Sequence, residues 1–155
     1  GQYGMVVPSF VNQALAGESI TVYGDGRQTR CFTHVLDAVE VVDMLMNTDA
    51  AYGDVFNIGR PDPVSINTLA ERVRELTGTE VPIEHVPYDE AYGEGFEDMR
   101  RRTPDMSKLE QTIGTRPERD LETILQDVIA HARSKRAKSN GHDVASLTAA
   151  SFNTA

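Results

Sequence analysis

Two short β-prone runs flank a Gly-Asp-Gly sequence, and this stretch constrains the fold more than any other. Ile20-Thr21-Val22-Tyr23 runs into Gly24-Asp25-Gly26, and Gln28-Thr29-Arg30-Cys31-Phe32 leads away from it. Glycine has no Cβ and enters positive φ at little cost, so the chain can reverse sharply here or let a ligand approach its backbone. The spacing predicts a hairpin. Arg30 lies just past the turn, where its planar fork can meet a phosphate or carboxylate with two hydrogen bonds. A solvated arginine on a hairpin is the commoner arrangement, so on these residues alone both readings stay open.

Helical periodicity accounts for most of the remaining chain. Val6, Val7, Phe10, Val11, Ala14 and Leu15 share one face, with Pro8 in the first turn and Gly17 as the stop. Val35, Ala38, Val39, Val42, Leu45 and Met46 form a second stripe, predicted to face inward while Asp37, Glu40 and Asp43 face away. His34 reads as a polar residue at that helix start. Ser65 is placed to cap a third helix carrying Ile66, Leu69, Ala70, Val73 and Leu76, ended by Gly78. Asp105 and Asp120 precede two more. The last has an apolar face of Leu121, Ile124, Leu125, Val128, Ile129 and Ala132.

Strand signals are sparse. Asp54-Val55-Phe56-Asn57-Ile58-Gly59 reads as a buried parallel strand with Asn57 as a structural hydrogen-bonder, and residues 82–87 as an edge strand between two prolines. Residues 88–103 read as a long polar loop, a length that is usually functional or disordered. An α/β class follows, mostly helices with short strands, and the full parallel sheet of a doubly wound domain is largely missing.

Net charge bears on ligands. With 24 acidic and 15 basic residues the chain carries −9, a field that disfavours nucleic acid and anionic lipid. Any phosphate must be held by a local arginine group, either Arg27 with Arg30 or Arg100-Arg101-Arg102. No apolar run approaches the ~20 residues that span a bilayer. The lone Cys31 excludes an internal disulfide and suits a cytoplasmic protein. No cluster has metal-ligand spacing, so no metal is expected.

The run VYGDGxQxRxFxxVxD at residues 22–37 resembles a signature in the C-terminal half of NAD-dependent nucleotide-sugar epimerases, dehydratases and decarboxylases, the extended short-chain dehydrogenase/reductases. The VVPxFxxQALxGExITVYGDG opening, the FNIG run and Asp98-x-x-x-Arg102-x-Pro104-Asp105 resemble the same family, so the likeness covers about residues 4 to 130. The resemblance implies a substrate site for the nucleotide-diphosphate part of a UDP-sugar. Val7 and Phe10 would lie against the base, Tyr23 would also bind substrate, Arg30 would contact the diphosphate, and Arg102 would reach the diphosphate or the ribose. The arginine spacing looks closest to UDP-glucuronate decarboxylases and UDP-sugar 4-epimerases.

Such enzymes use NAD to oxidise a sugar carbon transiently. They hold it on a Gly-rich turn at a helix N-terminus and use a Tyr-x-x-x-Lys pair as general base. Neither is in this sequence. Tyr3, Tyr23, Tyr52, Tyr88 and Tyr92 are followed four residues on by Val7, Arg27, Phe56, Tyr92 and Phe96. Gly1-Gln2-Tyr3-Gly4 also reads as mid-loop. The expectation is therefore a C-terminal piece, inactive alone, with NAD, the catalytic residues and any homodimer interface in an N-terminal part outside it. The alternatives are a free-standing, non-catalytic nucleotide-sugar-binding module or a decayed interaction protein.

Residues 1–133 are expected to form the nucleotide-sugar-binding region, and 134–155 a polar, disordered tail. A chain ended after Arg136 should then melt at nearly the same temperature. A drop of many degrees by calorimetry would mean that the tail is packed.

Overall fold

The computed structural model describes the backbone of residues 5–88 and 99–150, with side chains as far as residue 138. Most of the loop predicted over 88–103 thus lies outside the described residues. In chain order the elements are α1 (Val6–Ala16), β1 (Ile20–Tyr23), β2 (Thr29–Arg30), α2 (Val35–Met46), a 3-10 turn (Asp49–Ala51), β3 (Val64–Ser65), α3 (Ile66–Thr77), β4 (Ile83–Val86), α4 (Ser107–Ile113) and α5 (Leu121–Ala150). The class is α/β and mostly helical, as the periodicity implied.

The main core lies between α1, α3, α5 and β1. Ile20 and Val22 alternate inward from β1. They meet Phe10, Val11 and Ala14 of α1, Leu69, Ala70 and Val73 of α3, and Leu125 and Ile129 of α5. Helix ends follow the sequence signals. Gly17 closes α1 and Gly78 closes α3, both with left-handed backbone. The Ser65 hydroxyl accepts from the Thr68 amide at 3.0 Å, and the Asp120 carboxylate accepts from the Thr123 amide at 2.9 Å.

The hairpin is not formed. β1 pairs in parallel with β4, Ile20 opposite Ile83, while β2 pairs antiparallel with β3, Thr29 opposite Ser65. Local sequence predicts that the chain turns, and more distant strands decide what the turn joins. Gly24 and Gly26 have φ of 74° and 67°. A Cβ on Gly24 would overlap the Tyr88 ring, and one on Gly26 would overlap the Asn67 carboxamide. The Gly24 amide donates to Val86 at 2.8 Å, and the Asn67 amide to the Gly26 carbonyl at 3.0 Å. The corner therefore binds β4 on one side and α3 on the other.

α2 has the expected bounds, and Glu40 and Asp43 face away as expected, but Asp37 turns inward and part of the apolar stripe does not. Its buried residues are Asp37 and Val41, whereas Val35, Val39, Val42 and Met46 are exposed. Asp37 is 4% exposed. Its carboxylate accepts from the Arg119 amide at 2.9 Å and is paired with the Arg119 guanidinium, which also donates to Glu40. A compensated carboxylate can lie beneath a helix, and periodicity alone does not show which face turns inward.

Two further expectations change. Residues 54–58 form no strand, and Val55 is 83% exposed. A strand needs a ladder partner, and no described segment pairs with this one. Phe56 and Ile58 pack instead beside a small second core of Val41, Met106 and Leu109. The helix that holds Leu125 also continues to Ala150 rather than ending near Arg133. Extending a helix already nucleated by packing costs little, and no proline interrupts it.

Leu125, fully buried between three helices, is the strictest test of this core. Leu125→Ala should destabilise the chain by ~2–5 kcal/mol in a urea titration. A loss under ~1 kcal/mol would mean that α5 is not seated on α1 and α3.

Candidate functional site

The two arginine segments lie next to each other. The Thr29 amide donates to the Arg100 carbonyl at 2.8 Å, and Thr29 bridges Arg101 in parallel. Arg30 Nη1 donates to the carbonyls of Met99 and Thr29, both at 2.8 Å. β2 is thus flanked by β3 on one edge and by residues 99–101 on the other. Segments about 70 residues apart in sequence form one strip carrying Arg30, Arg100, Arg101 and Arg102.

The members of the strip differ in freedom. Arg30 is half-buried and its guanidinium is engaged with backbone, so its direction is set. Among the described residues the Arg100 side chain makes a long, exposed pair with Asp25 at 3.8 Å, an interaction of little worth in water. Arg101 Nε donates to the Thr103 hydroxyl at 3.3 Å. Arg102 is exposed, and among the described residues its side chain makes no ion pair.

Below the strip, the FNIG run provides a seat rather than a sheet. A Cβ at Gly59 would stand 2.9 Å from Pro104 Cγ, so glycine is what lets Pro104 pack there. Asn57 Nδ2 donates to the Asp105 carbonyl at 3.2 Å, the structural role expected of it. The Asp105 carboxylate accepts from the Ser107 amide at 2.9 Å, and that bond lowers its pKa. These contacts place residues 102–105 relative to β2. Sequence reading missed Gly59, because a close approach to Pro104 has no local signature.

Behind the strip, the corner is held by side chains. Gln28 is 8% exposed, and its Nε2 donates to the Tyr23 carbonyl at 3.1 Å and to the Tyr88 hydroxyl at 2.8 Å. Asn67 Nδ2 donates to the Asp25 carbonyl at 3.0 Å, and the Asn67 carbonyl oxygen pairs with His85 at 2.9 Å. Tyr23 is 41% exposed at the end of β1. A dinucleotide pyrophosphate does not fit this corner. The chain leaves it as β2 instead of a helix, and Tyr88 and Asn67 fill the space over its two glycines.

The proposed base contacts lie elsewhere. Val7 lines a cleft of about 990 Å³ together with Val11, Phe32, Ile124 and Val128. Phe10, at 2% exposure, belongs to the main core and does not line that cleft. His34 also borders the cleft. Its Nδ1 accepts from the Leu36 amide at 3.1 Å, and its Nε2 faces the Asp127 carboxylate at 3.0 Å. The ring hydrogen therefore resides on Nε2, and His34 is the helix-start residue that its position implied. Among the described residues no group of three or more His, Cys, Asp or Glu is placed to hold a metal ion, and no helix is long and apolar enough to cross a membrane.

Comparison with known proteins gives a consistent result. Residues 1–59 match the model of the NAD dependent epimerase/dehydratase family. A UDP-N-acetyl-alpha-D-glucosaminuronate decarboxylase of Bacillus cytotoxicus is 40% identical over 129 residues, covering 83% of this chain and 40% of that protein. The structure of a UDP-glucose 4-epimerase from Thermotoga maritima with UDP-glucose superposes at a TM-score of 0.75 and 28% identity, covering 87% of this chain and 42% of that one. A dTDP-glucose 4,6-dehydratase from Bacillus anthracis in complex with NAD superposes at 0.70 and 26% identity, covering 81% of this chain and 38% of that one. The chain spans about 40% or less of the length of the curated relatives it matches.

The seat of the strip is testable through Asp105. A pKa lowered by folding stabilises the native state above the unfolded value, and that contribution disappears as pH falls through the folded pKa. An NMR titration should place the Asp105 midpoint below 3.8. A midpoint at or above that value would mean that the bond to Ser107 is not made in solution.

Proposed function

The chain belongs to the NAD dependent epimerase/dehydratase family, and on that premise we propose that it binds the nucleotide-diphosphate part of a UDP-sugar as the C-terminal portion of such an enzyme. Arg30 and Arg102 contact the diphosphate. Tyr23 also binds the ligand, and Val7 meets the base with Phe10 packed behind it. The observation that carries this reading is the joining of β2 to residues 99–101, which collects Arg30 and Arg102 on one strip despite their separation in sequence.

Electrostatics supports the same assignment. In a chain of net charge −9 an anion needs a local concentration of guanidinium groups, and the strip supplies it. Arg30 is held in place by two carbonyls, and the exposed Arg102 can close on the ligand. The oxidation and its outcome, whether epimerisation, dehydration or decarboxylation, are assigned to the whole protein. NAD and the general base belong to polypeptide other than these residues, which lack Tyr-x-x-x-Lys and whose glycine corner is filled by the chain's own side chains.

Calorimetric titration with UDP tests the assignment. Arg30→Ala and Arg102→Ala should each weaken binding by ~1.5–3 kcal/mol, the scale of charge-assisted hydrogen bonds. Arg102→Ala is the cleaner variant, since that side chain is exposed. Unchanged affinity in both variants would remove the diphosphate from this strip.

A further inference from the structure

Gln28 is buried where four parts of the chain meet. Its Nε2 holds the end of β1 through the Tyr23 carbonyl and the segment after β4 through the Tyr88 hydroxyl. Its backbone carbonyl accepts from the Ile66 amide, at 3.1 Å, at the start of α3. Its immediate neighbours in sequence, Thr29 and Arg30, make the bonds to residues 99–101. The Gln28 side chain therefore ties the end of β1 to the segment after β4, one residue before the backbone joins the arginine strip.

Stability alone does not account for this glutamine. Its Oε1 is buried and accepts no hydrogen bond from the described residues, and a buried acceptor left unpaired is destabilising. Methionine has nearly the same shape and carries no such acceptor. What methionine lacks is the pair of donor bonds that ties Tyr23 to Tyr88. Glutamine here thus keeps a geometry at some cost to the fold.

We propose that Gln28 is the positioning residue of the diphosphate site, acting through the Tyr23–Tyr88 tie to hold Arg30 in register with residues 99–102. The inference rests on the reading of that strip as a diphosphate site. Gln28 itself touches no ligand. Its effect reaches only the part of the ligand that the arginines hold.

The test compares UDP with uridine, the same nucleoside without phosphates, on the wild-type chain, Gln28→Met, Tyr88→Phe and Arg102→Ala. Gln28→Met should melt within a few degrees of wild type and bind UDP about tenfold more weakly, the scale of one or two lost hydrogen bonds, with uridine affinity unchanged. Tyr88→Phe removes the other end of the tie and should act in the same direction, with the double variant little worse than either single one. An equal loss for UDP and uridine would overturn the proposal, because it would reflect a general loosening of the fold. If Arg102→Ala weakens UDP binding while both tie variants bind UDP as wild type does, the positioning role alone falls. If wild type binds no UDP, or Arg102→Ala leaves its binding unchanged, the diphosphate reading falls and this proposal with it.

Discussion

The corner at Gly24-Asp25-Gly26 is where the rest of this structure is joined, and steric exclusion is what forms it. Both glycines have left-handed backbone, and the space that side chains would need there is taken by Tyr88 and Asn67. Because the chain can pass so closely beneath those two residues, β1 can end against β4 while β2 leaves toward β3. The amide of Gly24 and the carbonyl of Gly26 are spent on β4 and α3. A larger residue at either position would be strained at positive φ and would have to displace the Tyr88 ring or the Asn67 carboxamide.

Beyond the corner, the chain is organised by two apolar clusters of unequal size. The larger, between α1, α3, α5 and β1, is an ordinary amphipathic core whose residues follow helical and strand periods. The smaller, around Val41, Met106 and Leu109, joins α2 and α4 and supports the strip from below. It holds α2 by Val41 and Leu45, beside the contact of Asp37 and Glu40 with Arg119. Val35, Val39, Val42 and Met46 of α2 are left exposed.

The strip and its likeness to UDP-sugar enzymes describe a division of labour. This chain supplies fixed and free cations on a short ladder, in a molecule whose overall charge repels anions. Among the described residues no glycine turn is shaped for a dinucleotide, and the sequence has no Tyr-x-x-x-Lys pair. Under the proposed function, substrate holding and chemistry are separable, and the first falls to the strip of Arg30 and Arg102.

Features set by neighbours a few residues apart were legible in the sequence. The bounds of α1, α2 and α3, the caps at Ser65 and Asp120, and the turn at the glycines all depend on local period, side-chain hydrogen bonding or permitted φ. Motif resemblance brought Arg30 and Arg102 forward as a pair, but their proximity rests on the bonds of Thr29 to Arg100 across the fold. Tertiary structure alone decided that β1 pairs with β4, that Asp37 is buried while Val39 is not, that Val55 to Ile58 form no strand, and that Gly59 makes room for Pro104. Each of these depends on which distant segment supplies a ladder partner, a counter-charge or an approaching ring. A short-range pattern can require such a partner without specifying where in the chain it comes from.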